Sequence, residues 1–175
     1  MLVALSSIAS TQSQVTNNTY DETLWLLNYA ATHPDATIRY SSSDMILHVH
    51  SDASYLSDPK ACSRVGGHYF LISRSSNPSK PPPSPPPPNG PLFTFSKIMH
   101  NVMGSASEAK IGATYLNGQE SVPICTTIAK MGHPHPPTPI QIDNSTAKGL
   151  ANRNIKRKRY KAIDMCFYWV QDRVR

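Results

Sequence analysis

"MILHVHSDASYLSDPKACSRVGGHYFLISR", residues 45–74, decides how this chain folds. Its two flanks, 45–55 and 64–74, are rich in branched and aromatic residues, and its middle, "LSDPKACS", is rich in turn formers. The pattern predicts two strands joined as an antiparallel hairpin. Asp52 stands inside the first strand, where a carboxylate is costly unless something positive holds it. Either the strand ends there or a cation sits beside it. In the second strand the pair Gly66–Gly67 predicts a bulge or a close backbone approach. It lacks the pattern of a phosphate-cradling loop.

Working outward, "SSSD" at 41–44 is turn-like and "ATIRY" at 36–40 carries strand-type residues. Before them, "YDETLWLLNYAATHPD" at 20–35 predicts a helix capped by Asp21, with Leu24, Leu27, Ala30 and Ala31 on one stripe and His33–Pro34 as the stop. Residues 1–19 are polar and are expected to be irregular. On the other side, "SNPSKPPPSPPPPNGP" at 76–91 holds more than half of the sixteen prolines. It can form neither helix nor ladder and reads as a spacer between strands, with a proline-recognising partner as the rarer use. "GPLFTFSKI" at 90–98 then supplies a third strand of an antiparallel meander.

The periodicity changes at "SASEAKIGATYLNGQE", residues 105–120. Ser105 and Glu108 have capping-box spacing, and Ile111, Tyr115 and Leu116 share a face, so a helix is expected. Pro123 makes "VPICTTIAKMG" at 122–132 either a kinked continuation or a new helix, ended by Gly132. "PIQID" at 139–143 is a brief strand, "NSTAKGLAN" at 144–152 a helix start, and "KAIDMCFYWVQDRV" at 161–174 a helix with Ile163, Phe167, Val170 and Val174 in register. Trp25 and Trp169 fit a core better than an exposed stacking platform. The expected class is α/β: a mixed sheet of three antiparallel strands, then helix, parallel strand and helices.

At 175 residues the chain suits one domain with a real core. Its formal charge of +6 is concentrated in "RNIKRKRYK", residues 153–161, which carries six of the 17 Lys and Arg. Such a run suits a polyanionic partner, and also a solvated helix face or a nuclear localisation signal. Three scattered cysteines form neither a disulfide framework nor a cysteine-rich zinc site, so an intracellular, cytoplasmic or nuclear setting is expected. The N-terminal residues lack the basic start of a signal peptide, and no window is apolar enough to span a membrane.

Asp52 in a strand, Glu108 in a first helical turn and Asp143 between a strand and a helix occupy the places where open α/β sheets build their sites. Three acids brought together there repel one another unless divalent cations bridge them, as in two-metal phosphoryl transfer. His48 and His50 share the parity of Asp52, a pattern open to zinc but met more often as space filling. Ser54 lacks a nucleophile elbow, which sets aside a serine hydrolase.

Taken together, "HVHSDASYLSDPKACSRVGGHYFL", "SASEAKIGATYLNGQE" and "PTPIQIDNSTAKGLANRNIKRKRYKAIDMCFYWVQDRV" resemble the ribonuclease H domain of an LTR-retrotransposon polyprotein of the copia/gypsy type. Four motifs in the right order carry the likeness, over residues 46–173. "LLNYAATHPDATIRY" is similar to the tether that precedes this domain, which places a tether region at 1–44 and the domain at 45–175.

The resemblance implies hydrolysis of the RNA strand of RNA–DNA hybrids with Mg²⁺, Mn²⁺ being a substitute. Asp52, Glu108 and Asp143 would be catalytic metal ligands. Asn144 and Ser145 would touch the hybrid backbone or cap a helix, and Lys156, Arg157, Lys158 and Arg159 would hold phosphates. The remainder of a reverse transcriptase polyprotein is a candidate partner.

Two departures stand beside the match. The family's fourth carboxylate follows one further strand, which this chain would lack, leaving the domain incomplete at its C-terminus; Asp164 and Asp172 are poor replacements. Lys110 stands where the family commonly has a second acid. The rival reading is therefore an inactive retroelement fragment that binds nucleic acid through its basic run.

Overall fold

Leu47, Val49, Val65 and Tyr69 are fully buried, and the hairpin that carries them is the centre of the sheet. In the computed structural model, which describes residues 1–73, 89–152, 154 and 164–174, β1 (Ile46–Asp58) pairs antiparallel with β2 (Cys62–Ile72). β2 pairs antiparallel with β3 (Pro91–Met99), and the two-residue β4 (Ile140–Gln141) runs parallel to β1. The order is β3-β2-β1-β4, a four-stranded mixed sheet with one parallel pair.

The sheet is covered by α3 (Ala106–Lys130), which also packs against α4 (Ser145–Ala151) and α5 (Asp164–Arg173). Ala109, Ala113 and Asn117, spaced four apart, form one buried row of α3. Asn117 is wholly buried and uses its whole amide: Nδ2 donates to Ser51 Oγ (2.9 Å), Ala113 O (2.9 Å) and Gly66 O (3.2 Å), and Oδ1 accepts from the Tyr69 hydroxyl at 2.8 Å. Burial pushes the Tyr69 hydroxyl well above its ordinary value, with the Glu120 charge adding to the shift, so it remains a donor.

This hub explains one of the paired glycines. A Cβ on Gly67 would lie 2.2 Å from Asn117 Oδ1, so the expected close approach is here, and the strand pairing runs through both glycines without a slip. Gly118, one residue beyond Asn117, leaves room for the Trp169 ring of α5, which a Cβ would meet at 2.8 Å.

The slip in the hairpin lies farther on, between Ser54 and Asp58. Leu56, Lys60 and Ala61 there adopt left-handed backbone, with φ of 51°, 60° and 55°. Such backbone is strained for these residues and needs surrounding support. The support is a two-pronged ion pair, Arg64 Nη2 to Asp58 Oδ1 at 2.6 Å and Nε to Oδ2 at 3.2 Å, with both side chains under 10 % exposed. The Arg64 guanidinium holds the Asp58 carboxyl below the usual range.

Residues Met1–Arg39 form a separate unit from Tyr40–Arg175. It consists of α1 (Leu2–Ser10) and α2 (Asn17–Thr32). The expectation of irregular structure over 1–19 is therefore corrected. Thr16, not Asp21, caps α2: its hydroxyl accepts from the Thr19 N–H and Thr19 answers in kind. A reciprocal cap satisfies two orphan donors, which is why the helix starts five residues earlier. Trp25, assigned to a core, is 80 % exposed.

"ATIRY" forms no strand. Its strand-type composition is a weak preference that tertiary pairing decides, and the sheet β3-β2-β1-β4 does not include it. Pro123 does not end α3, because the carbonyl it leaves unpaired belongs to exposed Gln119, where water can serve it. Gly132, at φ 91°, then closes the helix as His133 N–H reaches Ile128 O and its own N–H reaches Ala129 O. Of the stripe expected on the last helix, Phe167 and Val170 are buried and Val174 is exposed, while Ile163 lies outside the described residues. So does the proline tract through residue 88.

Candidate functional site

The β1–β4 pairing sets the site. Val49 lies opposite Ile140 and His50 opposite Gln141, so two residues farther along this parallel register Asp143 comes alongside Asp52. Two adjacent carboxylates need a cation. It comes from the start of α3, where the Lys110 ammonium donates to Asp52 Oδ1 and to Asp143 Oδ1, the latter at 2.8 Å. Asp52 Oδ1 also accepts from the Ala53 N–H at 2.7 Å. Of the two alternatives the sequence left open, the strand runs on to Asp58 and an ammonium stands beside the carboxylate.

The three groups are unequally buried. The Lys110 side chain is 12 % exposed, while those of Asp52 and Asp143 are 75 % and 70 % exposed. Burial works against the Lys110 charge, yet the hydrogen bonds it donates to Asp143 and Asp52 outweigh it and lift its pKa. Lys110 chiefly, and the Ala53 amide, hold Asp52 below its ordinary value against a smaller burial effect. As water screens both carboxylates, each pair is worth about 0.2–1 kcal/mol.

Glu108 is engaged elsewhere. Ser105 Oγ accepts from its N–H at 3.2 Å, and its own Oε2 accepts from the Gly104 N–H at 2.6 Å. Half of the expected capping box forms, and the carboxylate reaches one residue past the cap. Among the described residues, no group of three or more His, Cys, Asp or Glu is set to hold a metal ion. The donor chemistry of Asp52 and Asp143 nonetheless suits one hard divalent cation: two carboxylate oxygens already converge on a single positive charge at the surface.

Asn144 caps α4, its Oδ1 accepting from the Ala147 N–H at 2.8 Å, and Ser145 is exposed at the first position of that helix. Lys156, Arg157, Lys158 and Arg159 lie outside the described residues, as does the Asp164 side chain. Asp172 is on an exposed face of α5. His48, His50 and His68 cluster around Phe70, with the His48 and His50 rings 5.2 Å apart and those of His50 and His68 6.2 Å apart. Burial, then the His50 charge, pushes His48 down to about 4, and burial also lowers His50 and His68, so the cluster is neutral at pH 7. His135, in the proline-rich loop before β4, accepts at Nε2 from the Leu47 N–H at 2.8 Å and extends the pairing of β1.

A groove of about 710 Å³ is lined in part by Thr114, Gly118, Ile140, Ile142, Trp169 and Arg173, and its lining does not include Asp52, Asp143 or Lys110. Lys110 is the residue of this cluster whose place the sequence left unread. The signal was present as a base where the resembled motif has an acid. Among the described residues, no helix is long and apolar enough to cross a membrane. Compared with family models, curated proteins and solved structures, the chain matches none.

Proposed function

We propose that the chain is a ribonuclease H-like domain of a retroelement, acting on the RNA strand of RNA–DNA hybrids at the Asp52–Asp143 pair. One observation carries the reading: two acids picked out by motif, far apart in the sequence, share one ammonium. The antiparallel β3-β2-β1 trio with β4 parallel beside β1 is compatible with the same layout. An exposed pair at a strand edge also suits a long polymer better than a small enclosed ligand.

In this reading Asp52 and Asp143 hold Mg²⁺, which when bound supplies Lewis acidity toward the scissile phosphate and a more acidic water. Glu108 is the third ligand and leaves the Gly104 amide to serve. Asn144 keeps the start of α4 in place, and Ser145 beside it meets the hybrid backbone. Basic residues at 156–159 hold flanking phosphates, so binding weakens steeply with salt.

The second reading is an inactive fragment that binds nucleic acid without cutting it. Lys110 between the acids and Glu108 on the Gly104 amide favour it. Incubation with labelled hybrid in Mg²⁺ or Mn²⁺, beside Asp52→Asn, separates the two. Cleavage abolished in the variant supports the nuclease. Salt-sensitive binding with no cleavage supports the fragment.

A further inference from the structure

We propose that Lys110 is a resident counterion that competes with a divalent cation for Asp52 and Asp143, and so acts as a built-in brake on the site. The inference rests on the nuclease reading for its purpose but on the ion pairs alone for its physics. The ammonium contacts one oxygen of each acid, so it occupies the point at which both carboxylates could reach a common metal ion. A tethered ammonium does not diffuse away, and its stem is largely buried, which keeps it poised over the pair. A divalent cation in the same place would face a fixed like charge within contact distance. It enters only as Lys110 leaves.

Lys110 belongs to α3, Asp52 to the middle of β1 and Asp143 to the link between β4 and α4, so displacement needs a side-chain rotation and no change in the sheet. Ser105 and Gly104 keep Glu108 at the same helix start, close in sequence to the lysine it would replace as a neighbour of the acids. Local geometry thus offers two states. In one the ammonium neutralises the pair, and in the other a metal ion does.

The test is Mn²⁺ binding read from the loss of the free-ion paramagnetic resonance signal, on the full chain without nucleic acid. Lys110→Met keeps the buried stem and removes the charge; Lys110→Gln is the second variant should Met misfold. Removing two surface ion pairs is expected to tighten Mn²⁺ binding about tenfold. Lys130→Met makes the same charge change at the other end of α3 and is expected to leave affinity within about twofold, because salt screens distant charge. Adding Asp52→Asn to Lys110→Met is expected to abolish the gain.

A second readout uses the unmutated protein: after reductive ¹³C-methylation of its lysines, the Lys110 methyl resonance should shift as Mg²⁺ is added. Equal Mn²⁺ affinity in wild type and both Lys110 variants would overturn the brake, as would an equal gain in Lys130→Met or no uptake by any form. Cleavage of hybrid by a wild type with unchanged Lys110→Met affinity removes the brake and leaves the nuclease. Tighter binding by Lys110→Met with no cleavage by any form does the reverse.

Discussion

Tyr69 donates its hydroxyl hydrogen to Asn117 Oδ1 at 2.8 Å, and this buried bond ties the second strand of the sheet to the middle of the long helix. The same helix carries Lys110 and Glu108 at its start, so the registry of α3 over the sheet determines whether the lysine reaches the acids. Structure and site are linked through one amide.

Asn117→Ala leaves Ser51 Oγ without the amide donor and the Tyr69 hydroxyl with the Asn117 carbonyl oxygen alone, at 3.0 Å, and about 1–3 kcal/mol of stability should be lost. Gly67→Ala should cost as much by forcing a methyl into the space of the same amide. Urea denaturation followed by circular dichroism measures both. A loss under about 0.5 kcal/mol for either would deny the hub its role.

Asp58→Asn removes the negative charge facing the buried Arg64 guanidinium and should destabilise the fold by about 3 kcal/mol at neutral pH. The folded pKa of Asp58 lies below its unfolded value, so its contribution is complete above about pH 4 and is lost as pH falls through the folded value. Wild type and variant should therefore converge in stability below pH 4. Denaturation midpoints at a series of pH values show whether they do, and a constant gap would speak against the pairing.

Gly118→Val places a side chain in the space now filled by the Trp169 ring. Trp169 stands edge-on to Tyr115 with ring centroids 5.2 Å apart, and α5 should shift away from α3. Trp25 is 80 % exposed and supplies a constant background to the fluorescence. The Trp169 component should move to longer wavelength, read most cleanly in Trp25→Phe; an unmoved spectrum would place the ring elsewhere.

The central hairpin was legible because its flanks are rich in branched and aromatic residues and its middle in turn formers; Leu47, Val49 and Val65 on those flanks are buried. "ATIRY" misled because strand propensity says nothing about whether an edge is free to pair. Thr16 was missed as a cap because Asp21 offers the same chemistry in a better-looking place. Asp52 and Asp143 came from motif, and the register of β1 with β4 brings them side by side. What pattern reading could not supply was the partner. Lys110 is one charge among many in the sequence, and only the helix placement sets its ammonium between two carboxylates.

The most direct measurement is cleavage of a hybrid whose RNA strand carries a 5′ label, with the purified chain in Mg²⁺, beside Asp143→Asn and an RNA–RNA duplex. The account predicts cut RNA in the hybrid alone, with the rate falling by at least about a hundredfold in the variant, as expected when a metal ligand is lost. An intact RNA strand in Mg²⁺ and Mn²⁺ alike, or equal cleavage by Asp143→Asn, would contradict it.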